Sequence, residues 1–330
     1  MDLKLKKLRL ANTPTPIEQI QLMEAELPVE LYVKRDDLTG VALSGNKIRK
    51  LEYIFHQCLE EGITDVITCG ALQSNHCRAT AFAAAKLGIK AHLLLAGPQG
   101  QEVDGNHFLD LMAGAEIRQV DGKTYDQKRD EVMANWAEEL TAKGKVCRVI
   151  PEGASEALGS FGYLDCYDEI ARYEAERNLP FDRIVVTVGS VGTHAGLLYG
   201  KKLRKGQEEI TGISVSRSRD YYLPRAREIF RGMNELAGLD LAIEDAEVHI
   251  LEGYEGRGYG LSRPEELAFI RDFTSQTGII LDPVYTGKAL YGLITEALEG
   301  RFVPGERILF VHTGGAFGWT RRAMAELLRG

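Results

Sequence analysis

Apolar residues fall into short continuous runs that alternate with stretches where they recur every three or four positions. Runs rich in Val, Ile and Leu predict strands over 31–34, 65–69, 91–95, 146–150, 183–188, 210–215, 248–251 and 307–312. Between them, helical spacing predicts helices over 75–87, 125–142, 161–178, 193–203, 263–277 and 319–328. A further helix follows residue 46, where Ile48, Leu51, Ile54, Phe55, Cys58 and Leu59 repeat at helical spacing. Ser44 or Asn46 can cap it, and Gly62 can end it. Continuous apolar strands alternating with helices predict an α/β fold whose parallel sheets are covered on both faces. Two such sheets leave a cleft, the usual place for a ligand in α/β proteins. There is no internal repeat and no low-complexity linker.

Composition narrows the classes. At 330 residues the chain exceeds an average domain, so two domains or one large one is expected. A formal charge of −8 argues against general affinity for nucleic acid. No apolar run approaches the ~18 residues that cross a bilayer. The opening MDLKLKKLRLAN lacks the apolar core of a secretory signal, so a cytoplasmic location is expected. The five cysteines (Cys58, Cys69, Cys77, Cys147, Cys166) form no C-x-x-C pair and are expected to be buried, reduced thiols. The histidines have no metal-ligand spacing, so no metal site is expected.

Candidate chemistry concentrates at turns that lead into helices. In LSGNKIRKLEY (43–53), Lys47, Arg49 and Lys50 crowd a helix N-terminus, the positive end of its dipole, where cations are mildly unfavourable. A bound anion, or a lysine that is not a protonated surface lysine, would remove the conflict. In RIVVTVGSVGTHAG (183–196), a strand runs through Gly189 and Gly192 into a helix, leaving N–H groups free for a phosphate. The segment Gln73-Ser74-Asn75-His76 has the same strand-to-helix placement, with Ser74 or Asn75 as cap. HTGGAFG (312–318) is similar to a dinucleotide-binding turn, but too little chain follows for the second strand and its ribose-binding carboxylate.

A phosphate site, an unusual lysine and two α/β sheets together suggest pyridoxal phosphate. The chain resembles the fold type II pyridoxal-phosphate enzymes, and within them the D-cysteine desulfhydrase / 1-aminocyclopropane-1-carboxylate deaminase family. The matching blocks are TPTPIEQ (13–19), LYVKRDDLTG (31–40), SGNKIRKLEY (44–53), GALQSNHCRATA (70–81), VGSVGTHAGL (188–197), GYGL (258–261), ILDPVYTGKAL (280–290) and LFVHTGG (309–315). The resemblance implies two open, twisted, mostly parallel sheets covered by helices. It implies a large cofactor-binding part (1–53 with 157–330), a small part (54–156), an active site between them, and a homodimer. It makes Lys47 the lysine that carries the cofactor covalently and later acts as base. Lys50 would pair with the phosphate, which rests on the N–H groups of Ser190, Val191 and Gly192 and the Thr193 hydroxyl. Arg49 receives no role and is expected to be a surface or structural cation. Asn75 would contact the cofactor's phenolic oxygen, and the turn Gln73, Ser74, Asn75, His76 would hold the substrate carboxylate, with Ser74 near the reacting carbon. Tyr259 and Tyr285 match the family's two active-site tyrosines.

Two positions bear on the branch. The deaminases carry a glutamate after DPVY and a leucine in the final H-x-G-G block, where this chain has Thr286 and Thr313. A hydroxyl cannot balance a pyridinium charge, so Thr286 facing the cofactor ring would leave its nitrogen neutral. That weaker electron sink suits β-elimination. D-cysteine is therefore the expected substrate, giving pyruvate, ammonia and hydrogen sulfide. L-cysteate is the rival, because the resemblance extends to L-cysteate sulfo-lyases of the same branch, which share these blocks. The run SRSRDYYLPRAR (216–227) is rich in arginine, which pairs well with a sulfonate, though a solvated helix face is the plainer reading of that run. A non-catalytic binding protein on the same fold would not need Lys47.

Overall fold

Every strand expected from the apolar runs is present in the computed structural model, which describes residues 5–22 and 26–329. In chain order the elements begin β1 (Ile17–Ile20), β2 (Glu30–Lys34), α1 (Asn46–Glu60), β3 (Asp65–Ala71) and α2 (Asn75–Leu87). Next come β4 (Lys90–Ala96), α3 (Gly105–Met112), β5 (Glu116–Val120), α4 (Gly122–Thr141), β6 (Cys147–Val149) and α5 (Ala157–Arg177). Then follow β7 (Arg183–Val188), α6 (Gly192–Arg204), β8 (Glu209–Ser214), α7 (Arg219–Ala237) and β9 (His249–Leu251). The chain closes with α8 (Pro264–Thr277), α9 (Thr286–Leu298), β10 (Arg307–Val311) and α10 (Arg321–Arg329). Strands β1 and β5 and helices α3, α7 and α9 add to the expected set.

The strands form two open sheets. The larger has the order β1-β2-β10-β7-β8-β9 and the smaller β5-β4-β3-β6. All pairings are parallel except β1 with β2. The smaller sheet comes wholly from residues between 65 and 149. We propose the division into 1–53 with 157–330 and 54–156, whose first cut falls inside α1.

Strand side chains alternate between two covered faces, as a parallel sheet requires. In the larger sheet Ile184, Val186 and Val188 pack with α5, α6 and α7 through Phe161, Leu197 and Phe230. Val185, Ile308 and Phe310 pack on the opposite face with Ile270, Phe273 and Leu290 of α8 and α9. In the smaller sheet Val66, Leu93 and Leu95 meet α1 and α2, while Ile67, Cys69 and Leu94 meet Trp136 and Met133 of α4. Each such fully buried side chain contributes on the order of 1.5–3 kcal/mol. In α1 the expected stripe holds for Ile48, Leu51, Ile54, Phe55 and Cys58, but Leu59 faces solvent. All five cysteines are free thiols; Cys147 is half-buried and the others buried.

Parallel strands that end on the same side bring their following turns together. The turns after β3, β6, β7 and β10 all reach the cleft, and there the candidate residues meet. No helix of the described residues is long and apolar enough to cross a membrane.

Candidate active site

Neither expected cap closes α1. Its first turn follows Gly45, whose left-handed backbone (φ 97°) brings Asn46 N–H to the Thr313 carbonyl at 3.1 Å. A side chain at residue 45 would strike that carbonyl, since a Cβ there would lie 2.6 Å from it. Glycine therefore docks α1 directly on the turn after β10. Ser44 instead accepts at its carbonyl from Arg78 at 3.1 Å, and Asn46 Nδ2 donates to Thr193 Oγ1 at 3.0 Å.

A cavity between the two sheets is lined by Lys47, Ser74, Asn75, His76, Ser190, Val191, Thr193, Tyr259, Tyr285 and Thr313. Ten positions chosen from the sequence thus converge on one space, from six separate segments of the chain. Ser74 does cap α2, its Oγ accepting from Cys77 N–H at 3.2 Å, and still lines the cavity. The Tyr259 and Tyr285 hydroxyls lie 2.5 Å apart in a hydrogen bond that either can donate. Burial, reinforced by Tyr259, pushes Tyr285 well above the ordinary tyrosine value.

Lys47 is half-buried in the cavity wall. Desolvation lowers its pKa to about 8, opposed only by Glu152 at the cavity rim. His76 is held neutral, by burial first and then by Lys47 and Lys50. The Thr68 hydroxyl donates to the Ile150 carbonyl at 2.8 Å, so His76 Nε2, at 2.7 Å from Thr68 Oγ1, is the donating ring nitrogen. Its Nδ1 is a buried acceptor without a partner among the described residues.

The turn after β7 has the form of an anion cradle. Val191 takes a left-handed backbone (φ 60°, ψ −19°), which is costly for a β-branched residue. Such a turn points successive N–H groups at one spot ahead of a helix N-terminus. The Gly192 N–H closes the turn on the Ser190 carbonyl at 2.9 Å, so Ser190, Val191 and the Thr193 hydroxyl are the groups left to face an anion.

Behind this turn stands Lys50, fully buried. Its Nζ reaches the Gly153 carbonyl at 3.3 Å and Ser155 Oγ at 3.2 Å, and no carboxylate among the described residues pairs with it. Burial, then Lys47, lowers its pKa well below the usual lysine value. A Cβ on Gly192 would lie 2.9 Å from Nζ, so the missing side chain is what lets the cation approach the turn. A buried cation without a counter-ion, a strained N–H cradle and a lysine of depressed pKa fit a phosphorylated carbonyl cofactor.

Four expected residues do not line this cavity: Lys50 and Gly192 meet behind the turn, and Gln73 and Thr286 lie apart from it. Gln73 turns outward, its Nε2 donating to Asp104 Oδ1 at 2.9 Å and its Oε1 accepting from Asn106 N–H at 2.8 Å. Thr286 opens α9 fully buried, its hydroxyl donating to Asp282 Oδ1 at 2.7 Å. Arg49, left without a role by the sequence, is buried and bound to Asp36 and Glu169. The sequence reading missed Glu152, Gly153 and Ser155 beside the cradle. The signal was PEGAS (151–155), a glycine-containing turn after an expected strand.

Fold and cradle together define a pyridoxal-phosphate enzyme of fold type II. The chain belongs to the family of pyridoxal-phosphate dependent enzymes, which it matches over residues 8–314, and within it to the D-cysteine desulfhydrase / 1-aminocyclopropane-1-carboxylate deaminase family. It is 38% identical over 315 residues to a D-cysteine desulfhydrase of Serratia proteamaculans, spanning 94% of both chains. It is also 38% identical over 318 residues to a mitochondrial bifunctional D-cysteine desulfhydrase/1-aminocyclopropane-1-carboxylate deaminase of Arabidopsis thaliana, spanning 94% of this chain and 78% of that one. The crystal structure of an ACC deaminase homologue superposes with a TM-score of 0.87 at 38% identity, covering 99% of this chain and 96% of that one.

Proposed function

We propose that the protein eliminates a sulfur leaving group from the β-carbon of a cysteine-type amino acid, D-cysteine first, giving pyruvate, ammonia and hydrogen sulfide. Pyridoxal phosphate, when bound, supplies the electron sink that makes the substrate's α-hydrogen acidic. Lys47 would carry the cofactor and, once displaced by the substrate amine, take the α-proton. A pKa near 8 leaves part of its population as free base at neutral pH, which that step needs. N–H groups at the start of α2, around Ser74, Asn75 and His76, would bind the substrate carboxylate. Ser74 would lie beside the reacting carbon, and the Tyr259–Tyr285 pair would exchange a proton with the leaving group. Asn75 would donate to the cofactor's phenolic oxygen. Ser190, Val191 and the Thr193 hydroxyl would hold its phosphate, with Lys50 approaching from behind the turn past Gly192, which has no side chain to block it.

One observation carries the choice of leaving group: Lys47 is the sole cation among the residues lining the cavity. A sulfonate would call for a further cation, and the arginine-rich run does not provide one. Arg217 pairs with Asp126, Arg227 with Asp245, and Arg225 with Glu228 and the Ser155 carbonyl. Arg219 is spent on the Val248 carbonyl. Thr313, where the deaminases carry a leucine, puts a hydroxyl in the cavity wall, which supports elimination over opening of a cyclopropane ring.

The cofactor-loaded protein is to be given D-cysteine, L-cysteine, L-cysteate and 1-aminocyclopropane-1-carboxylate in parallel. Pyruvate and sulfide from D-cysteine are expected. Sulfite from cysteate, or 2-oxobutanoate from the cyclopropane, as the main product would overturn the reading.

A further inference from the structure

The polarity of the Asn75 amide is set from outside the cavity. A side-chain amide has one donating end and one accepting end, and its neighbours decide which end faces a ligand. Arg78, fully buried in α2, can only donate. Its Nε donates to Asn106 Oδ1 at 2.8 Å, so the amide oxygen of Asn106 must face Arg78 and its NH2 must face away. That NH2 donates to Asn75 Oδ1 at 2.9 Å and to the Gln73 carbonyl at 3.0 Å. A carbonyl only accepts, so Gln73 imposes the same orientation from the other side. Asn75 therefore turns its oxygen inward to Asn106 and its NH2 toward the cavity that it lines.

We propose that Asn106 is a positioning residue that fixes Asn75 as a hydrogen-bond donor toward an anionic oxygen of the bound cofactor. This rests on the reading that Asn75 faces the cofactor. Asn106 is fully buried at the start of α3, and it acts only through Asn75. The relay is anchored at its far end as well. Arg78 donates through its two terminal nitrogens to the Ala42 and Ser44 carbonyls, in the segment that leads into α1 and Lys47. Asp110, on the same helix as Asn106, acts on the guanidinium through charge alone: neither oxygen has a hydrogen-bond partner among the described residues, and burial, opposed by Arg78, pushes its pKa up to about 8.

Asn106→Asp tests the polarity while keeping the shape. Its two oxygens satisfy Arg78 but offer Asn75 only acceptors, so Asn75 must turn its NH2 inward and present an oxygen to the cofactor. Asn106→Ala removes the lock without reversing it. The dissociation constant for pyridoxal phosphate is measured by titrating the cofactor-free protein in four forms: parent, Asn106→Asp, Asn75→Ala and the double variant. Asn106→Asp should weaken binding about tenfold or more, and by less than about twofold in the Asn75→Ala background, because the route through Asn75 is then gone. Asn106→Ala should show a smaller loss that vanishes in the same background, which keeps the test open if Asn106→Asp folds poorly. Equal losses in both backgrounds, or no loss from either substitution, would overturn the proposal. If Asn75→Ala alone leaves binding unchanged, the underlying reading of Asn75 fails, and the proposal with it. Because binding is the readout, the identity of the eliminated group does not enter.

Discussion

Two buried cations one residue apart on α1 have opposite surroundings. Arg49 has everything a guanidinium can ask for: both oxygens of Asp36 at 2.8 Å and both oxygens of Glu169 at 2.8 and 2.9 Å. Lys34 joins the cluster at 2.7 Å from Glu169, and the Tyr163 hydroxyl donates to Asp36 at 2.7 Å. Burial alone would raise the Asp36 carboxyl, but Arg49 and Lys34 outweigh it and hold it at about 2. Lys50, no less buried, has one carbonyl and one hydroxyl and no counter-charge. A chain that completes one charge so fully and leaves its neighbour open has arranged the open one for a ligand. The Arg49 cluster ties β2, α1 and α5 together; we propose that the Lys47–Lys50 face of the same helix serves the cofactor.

The contrast can be broken most severely at Lys47. Lys47→Ala should cut pyruvate release by ~10²–10⁴-fold or more and abolish the visible absorbance of bound cofactor, while the melting of the cofactor-free protein stays close to that of the parent. Substantial residual turnover would end the account of this face. Arg49→Met should act on the other side of the contrast, removing about 3–5 kcal/mol of stability by leaving Asp36 and Glu169 short of a counter-charge. Denaturant unfolding measures it, and cofactor affinity per folded molecule should stay as it is.

The two regions should also separate by pH. Asp36 is depressed from 3.8 to about 2, so its contribution is present above the unfolded value and is lost as pH falls through that window. Lys47 is depressed from 10.5 to about 8 by burial, so between these values the unfolded chain holds more protons than the folded one. The cofactor-free protein should therefore gain stability as pH rises across that range. Lys47→Met should flatten the rise, with Lys50 supplying any remainder of the same sign. A stability profile in which Lys47→Met leaves the alkaline rise unchanged would contradict the burial of that amine.

Sequence periodicity captured the strands that carry continuous apolar runs and missed other elements for identifiable reasons. Strand β5 (EIRQV) sits at an edge with no fully buried residue, and β1 (IEQI) is a short antiparallel edge strand; neither carries an apolar run. Helix α9 begins inside DPVYTG, where the turn chemistry hid its start. At the site, Lys47, Ser74, Asn75 and Thr193, chosen from the motif turns, and both tyrosines, chosen from the resemblance, meet around one cavity. Local spacing could not show where a side chain finds its partner. Gln73 caps a helix that the sequence reading had not predicted, and the Thr286 hydroxyl is taken by Asp282 four residues earlier. Arg49 was ambiguous for the same reason: its partners lie 13 and 120 residues away along the chain.

The most direct test of the contrast is the melting temperature of the parent and Lys50→Met, each with and without saturating pyridoxal phosphate. Replacing an uncompensated buried cation by an apolar side chain of similar volume should leave the cofactor-free variant at least as stable as the parent. The cofactor should then raise the parent's midpoint by several degrees more than the variant's, because binding that favours the folded state stabilises it in proportion to affinity. A cofactor-free variant that melts far below the parent, as Arg49→Met should, and that gains as much from the cofactor would make Lys50 a structural cation and contradict the account.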